Sequence, residues 1–170
     1  MTFYNYRLDT SNPEELEKDY RLRQLTIKLA WLNINSLFLE KGKKARFKYW
    51  PGDIDNVNTG YSGHGIKKLI ALDTNSVSGK AEDNLNLLTV VLNDEIKGFI
   101  IKSTQEDPII NSPFFHFDIL NENDVSIYTS QDFGDNVLLF LTALDFEKLT
   151  KQQIMKSDLI SLPESEINIK

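Results

Sequence analysis

The strongest constraint on the fold is a helical signal in the first quarter of the chain. Asn12 and Pro13, followed by two glutamates, form a helix start, because asparagine caps helix N-termini and proline suits the first turn. Apolar residues then recur at steps of three and four in two stripes, one of Leu16, Tyr20, Ile27, Trp31, Ile34 and Phe38 and one of Leu22, Leu25, Leu29 and Leu32. The pattern predicts a helix from about 13 to 41 that packs on a sheet and could also hold two copies together as a homodimer.

Strand and turn signals dominate the rest of the chain. Two hairpins are predicted, each with a polar turn, pairing 87–92 with 96–102 and 114–120 with 125–130. Further strands are predicted at 3–9, 43–50 and 137–141, and short helices at 65–73 and 146–156. We therefore predict a single α+β domain over 1–170, with a mainly antiparallel, twisted sheet of five or six strands, one long N-terminal helix and short additional helices. The tail from about 161 to 170 is expected to fray.

Charge is distributed unevenly along the chain, whose 19 Lys and Arg against 25 Asp and Glu give a formal net charge of -6. Residues 1–50 carry 10 basic and 6 acidic side chains, residues 51–110 carry 5 and 9, and residues 111–170 carry 4 and 10. Such a separation of charge can accelerate the encounter with a partner of opposite sign.

The basic run over 41–48 contains aromatic residues, as do surfaces that bind single-stranded nucleic acid, but the net acidic charge of the chain argues against a nucleic-acid partner. Pairing of this run with acidic residues of the same chain is the alternative.

Residue types that carry most catalytic and metal chemistry are scarce. The chain has no cysteine and only 2 histidines, His64 and His116, which excludes thiolate metal sites, cysteine nucleophiles and disulfides. No nucleophile elbow and no zinc or calcium motif is present. We therefore expect no cofactor, no metal and no enzymatic activity, and a cytoplasmic location. The apolar runs are shorter than the roughly 18 residues of a membrane span, so no membrane partner is expected.

A protein-binding function is predicted for the acidic half of the chain. A small acidic domain with aromatic residues at its loops resembles, in general profile, the immunity proteins that neutralise a basic, nuclease-like bacterial toxin by covering its active-site face. This is a resemblance of class, without a family motif. The predicted partner-binding residues are Asp118, Glu122, Asp124, Tyr128, Asp132, Phe133 and Asp135. Addition of a partner strand to a free sheet edge is a second way of binding.

A glycine-rich loop supports an alternative function. The stretch from Gly60 to Gly65 precedes a predicted helix that begins with two lysines, and backbone N–H and ammonium groups in such a loop can bind phosphate. The spacing matches neither the Walker motif nor the dinucleotide fingerprint. The alternative is a small enzyme or a nucleotide- or phosphate-binding protein that uses Gly60, Gly63, His64, Gly65, Lys67 and Lys68.

Overall fold

The computed structural model describes residues 4–11, 17–106 and 111–163, which form eight strands and four α-helices. In chain order these are β1 (Tyr6–Leu8), α1 (Glu17–Lys41), β2 (Lys44–Tyr49), α2 (Ile66–Leu72), β3 (Val77–Lys80), β4 (Asn86–Val91), α3 (Asp94–Glu106), β5 (His116–Leu120), β6 (Ser126–Gln131), β7 (Asn136–Leu139), α4 (Ala143–Lys151) and β8 (Leu159–Ser161). Short 3₁₀ helices lie at Pro51–Asp53, Asp132–Gly134 and Lys156–Asp158.

The described strands form one antiparallel sheet in the order β3-β4-β2-β5-β6-β7-β1-β8. The predicted α+β class with a mainly antiparallel sheet is confirmed, but the sheet has eight strands and not five or six. The two missed strands are at the edges of the sheet. β3 is exposed along its whole length, so its sequence shows no alternation of apolar and polar residues. Backbone pairing with β4 holds it in the sheet. β8 pairs with β1, while residues 164–170 of the tail expected to fray lie outside the described residues.

The first predicted hairpin is wrong in its second strand, because residues 96–102 belong to α3. The Asn93 side chain accepts a hydrogen bond from the Ile96 backbone N–H over 2.9 Å, and acidic residues occupy the first turn. These are helix N-terminal features. Ile96 and Ile100, one turn apart, are fully buried on the same face. A short apolar run fits a buried strand and a buried helix equally well, and here the cap decides for the helix.

Helix α1 buries only one of its two apolar stripes. Ile27, Trp31, Ile34 and Phe38 are buried, and each such side chain contributes about 1.5–3 kcal/mol of transfer free energy. The second stripe is largely in solvent, with Leu22, Leu25 and Leu29 at 66, 59 and 60% exposure. The wide burial expected from two apolar stripes is therefore not reached within one chain, because the second stripe faces solvent. The helix ends at Lys41 as predicted, and its predicted start at 13 lies outside the described residues.

Strand β2 shows how the sheet separates two environments. Ala45, Phe47 and Tyr49 are buried, as predicted for an alternating strand, and Phe47 stacks on Phe117 with ring centroids 5.5 Å apart. Phe117 in turn meets Trp31 of α1 in an edge contact, which places these residues beneath the helices. The alternate residues of β2 therefore lie on the opposite side of the sheet, which we call the open face.

Candidate functional sites

The main polar feature of the open face is the carboxylate of Asp118. The strand register places Arg46, Asp118 and Thr129 side by side on β2, β5 and β6. Arg46 Nε and Nη2 donate to Asp118 Oδ2 over 3.1 and 2.9 Å, and Thr129 Oγ1 donates to Oδ1 over 2.7 Å. The Tyr4 hydroxyl lies beside this network, because it donates to Ser126 Oγ over 2.8 Å and also contacts Thr129 Oγ1.

Asp118 is ionised and inaccessible. Burial raises its pKa, but the neighbouring His116 imidazole, the Thr129 hydroxyl and the Arg46 charge together outweigh burial and lower the pKa to about 2. His116 Nε2 lies 3.4 Å from Asp118 Oδ1, and the Asp118 side chain is 6% exposed. The carboxylate of Asp118 is thus already bound by side chains of its own chain, and its predicted contact with a partner stays a prediction.

Two further ion pairs join the basic and acidic parts of the chain. Lys41 Nζ lies 2.6 Å from Asp145 Oδ2, and Lys44 Nζ lies 2.7 Å from Asp124 Oδ1. Burial raises the pKa of Asp145, but hydrogen bonds from Lys41 and Thr142 outweigh it and lower the pKa overall. The basic run thus pairs with carboxylates of the same chain, as the alternative interpretation expected. Lys41, Lys44 and Arg46 are thus each paired with a carboxylate from the acidic part of the chain.

Tyr128, a second predicted contact, lies in the core. Its ring packs against Phe38 of α1 and against Phe117, and none of the side chain is exposed. Burial raises the pKa of its hydroxyl far above the ordinary value for tyrosine. Helix α1 therefore covers this ring, and the predicted contact of Tyr128 with a partner stays a prediction.

The turn after β6 holds two residues in a strained backbone conformation. We call residues 132–135 the acidic loop. Asp132 and Phe133 have φ angles of 50° and 58°, which non-glycine residues adopt at a cost of roughly 1–2 kcal/mol each. The Phe133 N–H donates to the Phe115 carbonyl over 3.2 Å, and the Ser112 N–H donates to the Phe133 carbonyl over 2.8 Å. The Phe133 ring, half-buried, lies with its centroid 5.5 Å from that of Phe115. Neighbouring backbone therefore fixes the strained turn.

The acidic loop also brings two like charges together. Asp132 and Asp135 are both exposed, and burial followed by the charge of Asp132 raises the pKa of Asp135. A carboxyl group whose pKa is higher in the folded than in the unfolded state lowers stability when it is ionised. Removing the charge of Asp132 should therefore not destabilise the fold at neutral pH.

The exposed carboxylates that were predicted as contacts lie at two ends of one strand. Glu122 and Asp124 are in the turn before β6, whereas Asp132 and Asp135 follow it. At about 3.3 Å per residue, the six residues of β6 separate the two groups by nearly 20 Å. The seven predicted residues therefore do not form one surface, and the acidic loop is the part that combines exposed charge with an aromatic ring.

The glycine-rich stretch lines a cavity of about 230 Å³ between α2, α3 and the loop after β2. Five of the six predicted residues contribute to its lining, namely Gly63, His64, Gly65, Lys67 and Lys68, whereas Gly60 does not. Sequence reasoning missed the α3 contribution, which comes from Phe99, Ser103 and Glu106. Their spacing of four and three residues marks one helix face, a signal that the strand interpretation of 96–102 concealed.

The glycine at position 63 is required by the packing of two backbone segments. A Cβ there would lie 1.9 Å from the Asp53 carbonyl oxygen, so only glycine lets the two backbone segments meet. Asp53 fixes the same junction, because its Oδ2 accepts a hydrogen bond from Ser62 Oγ over 2.6 Å. Lys67 forms an ion pair with Asp55 at the cavity rim. Backbone and side chains of this stretch together line the cavity, and phosphate binding there stays a prediction.

Comparisons with protein-family models, with curated proteins and with solved structures find no match to this chain. In the described ranges, no helix is long and apolar enough to cross a membrane. The same residues contain no cluster of three side chains that could hold a metal ion. The function is therefore argued from the two exposed features above, the acidic loop and the α2–α3 cavity.

Proposed function

We propose that this protein is a small protein-binding inhibitor of the immunity type, acting in the cytoplasm, that neutralises a basic, nuclease-like toxin by covering its active-site face. The observation that supports this most is the acidic loop. Strained backbone is retained where the surrounding structure enforces it, and such residues concentrate at binding and catalytic sites. Here the strain presents Phe133 between two exposed carboxylates, the combination of aromatic anchor and charged rim found at specific interfaces.

The acidic loop lowers the stability of the fold in two ways. Left-handed φ angles at Asp132 and Phe133 cost free energy, and so does the proximity of the carboxylates of Asp132 and Asp135. Features that cost stability are typical of functional positions. A cationic partner would relieve the repulsion between the two carboxylates on binding. Complementary charge would therefore raise the association rate and also stabilise the complex.

Charge removal at the acidic loop tests this proposal. The variant D132N/D135N is expected to slow association with a basic protein captured from the native host by about tenfold at about 50 mM salt, because steering by exposed charge acts mainly on the association rate. It should also weaken the dependence of that rate on salt between about 50 and about 300 mM. Rates measured by biolayer interferometry on the captured protein give both quantities.

The matched control is E82Q/D83N, which removes two exposed charges in the turn between β3 and β4. It changes the net charge equally and should leave the association rate within about twofold of the original protein. Equal slowing by both variants, or rates that do not change with salt, would contradict a contact through the acidic loop. Thermal unfolding should show D132N/D135N at least as stable as the original protein at pH 7.

Homodimer formation through the long helix stays a prediction, and the leucine stripe of α1 is the surface on which it would occur. Leu25 lies at the middle of that stripe, with Leu22 and Leu29 exposed beside it. If two copies associate there, Leu25→Glu should halve the mass measured by light scattering. Leu144→Glu on α4, which is 60% exposed, is the control and should leave the mass unchanged. A monomeric original protein would contradict the prediction.

A further inference from the structure

One wall of the α2–α3 cavity is a face of α3 that carries one aromatic and two polar side chains. Phe99, Ser103 and Glu106 follow one face of α3, so this wall runs about 10 Å along the helix at 1.5 Å per residue. Ile54 and Val57, from the loop after β2, add further apolar lining. The volume of about 230 Å³ is below the roughly 300–1,000 Å³ of sites for drug-sized ligands, which limits an occupant to a small metabolite.

Both signs of charge line this cavity without neutralising each other. Among the described residues no carboxylate lies within ion-pair distance of the Lys68 ammonium, whereas Lys67 is paired with Asp55. The Glu106 carboxylate has its nearest cation on its own helix, Lys102, at 3.8 Å. Lys68 and Glu106 therefore remain available to two different groups of one ligand. An exposed, loose pair such as Lys102–Glu106 holds its carboxylate only weakly.

His64 adds a hydrogen-bond acceptor to the same lining. Its Nδ1 lies 3.0 Å from the Val57 carbonyl oxygen, which can only accept, so Nδ1 carries the proton. In the neutral imidazole this leaves Nε2 as an acceptor. The His64 ring is also held near Phe114, with centroids 6.0 Å apart, so its position is fixed before any ligand binds.

We propose that the α2–α3 cavity binds a small zwitterion with an apolar body, of the size of a free amino acid. Lys68 contacts the ligand carboxylate, Glu106 contacts the ammonium group, and Phe99 packs against the apolar part. This site is separate from the acidic loop and does not depend on the protein-binding function. Apolar lining with a few polar groups that fix orientation is the usual composition of a small-ligand site.

Calorimetric titration with L-phenylalanine tests the proposal, using two probes that each lack one charge, 3-phenylpropanoate and 2-phenylethylamine. L-Phenylalanine is expected to bind with a Kd of about 1 mM or tighter, and each half-charged probe about fivefold more weakly. Lys68→Met should weaken L-phenylalanine and 3-phenylpropanoate by about fivefold and leave 2-phenylethylamine unchanged. Glu106→Gln should weaken the binding of L-phenylalanine and 2-phenylethylamine and leave the binding of 3-phenylpropanoate unchanged.

Lys148→Met on α4 is the matched control, because it removes an exposed lysine remote from the cavity lining and should leave all three affinities unchanged. Phe99→Ala should weaken all three probes, since each carries the same ring. Absence of saturable L-phenylalanine binding, equal affinity for the zwitterion and both half-charged probes, or equal effects of Lys68→Met and Lys148→Met would each overturn the proposal. Binding that follows the pattern of Lys68 and Glu106 would support it.

Discussion

Replacing Arg46 by methionine is expected to lower the free energy of unfolding by about 3 kcal/mol at pH 7. The substitution keeps an aliphatic side chain on β2 but removes both N–H groups that bind Asp118 Oδ2. The carboxylate then stays buried beside the Thr129 hydroxyl and His116. Breaking one side of a buried ion pair is costly because the other charge is left without compensation. Urea denaturation followed by tryptophan fluorescence measures the loss.

Acid should reduce the difference between Arg46→Met and the original protein. The pKa of Asp118 is lowered from its ordinary 3.8 to about 2, so its contribution to stability is complete above about pH 4 and is lost as the pH falls towards 2. The lowered pKa corresponds to about 2 kcal/mol of stability. At about pH 2 the carboxylate is being protonated, and the loss caused by removing Arg46 should be much smaller.

Lys44→Met is the control for Arg46→Met, because Lys44 lies two residues earlier on the same strand and also forms an ion pair. Its partner Asp124 is 59% exposed and Lys44 itself 40% exposed, so the pair is well solvated. We expect a loss of less than about 1 kcal/mol, as for other surface pairs. Equal losses in the two variants would show that Arg46 does not hold a buried carboxylate.

Replacing Gly134 by alanine is expected to cost about 3 kcal/mol or more. Gly134 has a φ of +89°, in the region that L side chains rarely adopt. Its Cβ would also lie 2.8 Å from the Asn111 Cβ and 2.9 Å from Trp31 Nε1, which are both buried. Strain and overpacking therefore act together. Urea denaturation measures the loss, and binding through the acidic loop should fall with it.

Gly98→Ala, in the middle of α3, is the matched control. A Cβ at Gly98 meets no atom within 4 Å, so alanine should raise the free energy of unfolding by about 0.5–1 kcal/mol. The same chemical change thus has opposite signs at the two positions. A loss below about 1 kcal/mol at Gly134 would show that the acidic loop is not held in the left-handed conformation, and the proposed binding site would lose its main support.

Elements with strong local signals were predictable from the sequence. The alternation in β2, the hairpin of β5 and β6 around its polar turn, and the short helix α2 are all where the pattern placed them. Elements without such a signal were not. β3 is exposed throughout, and α3 carries an apolar run that a buried strand would also show. Contacts outside each segment decide its conformation. β3 is a strand because it pairs with β4, and α3 is a helix because Asn93 caps its N-terminus.

The candidate sites were predictable only in part, for the same reason. The sequence marked the glycine-rich stretch, and five of its six named residues line the cavity. It did not show that Phe99, Ser103 and Glu106 form a cavity wall, because that requires α3 to be a helix packed near α2. It also marked the loop after β6 but not its backbone strain, since strain depends on contacts from Phe115 and Ser112.

By itself the sequence determined the α+β class, the absence of cysteine chemistry and a positive beginning followed by an acidic remainder. Only the tertiary structure decided which charges face solvent. Arg46 and Asp118 are 72 positions apart in the chain and become neighbours because β2 pairs with β5. The pairing of β2 with β5 buries Asp118, whereas the turn after β6 leaves Asp132 and Asp135 exposed. Charge along a chain is a sum over residues, whereas charge available to a partner depends on strand register, which is set by long-range packing.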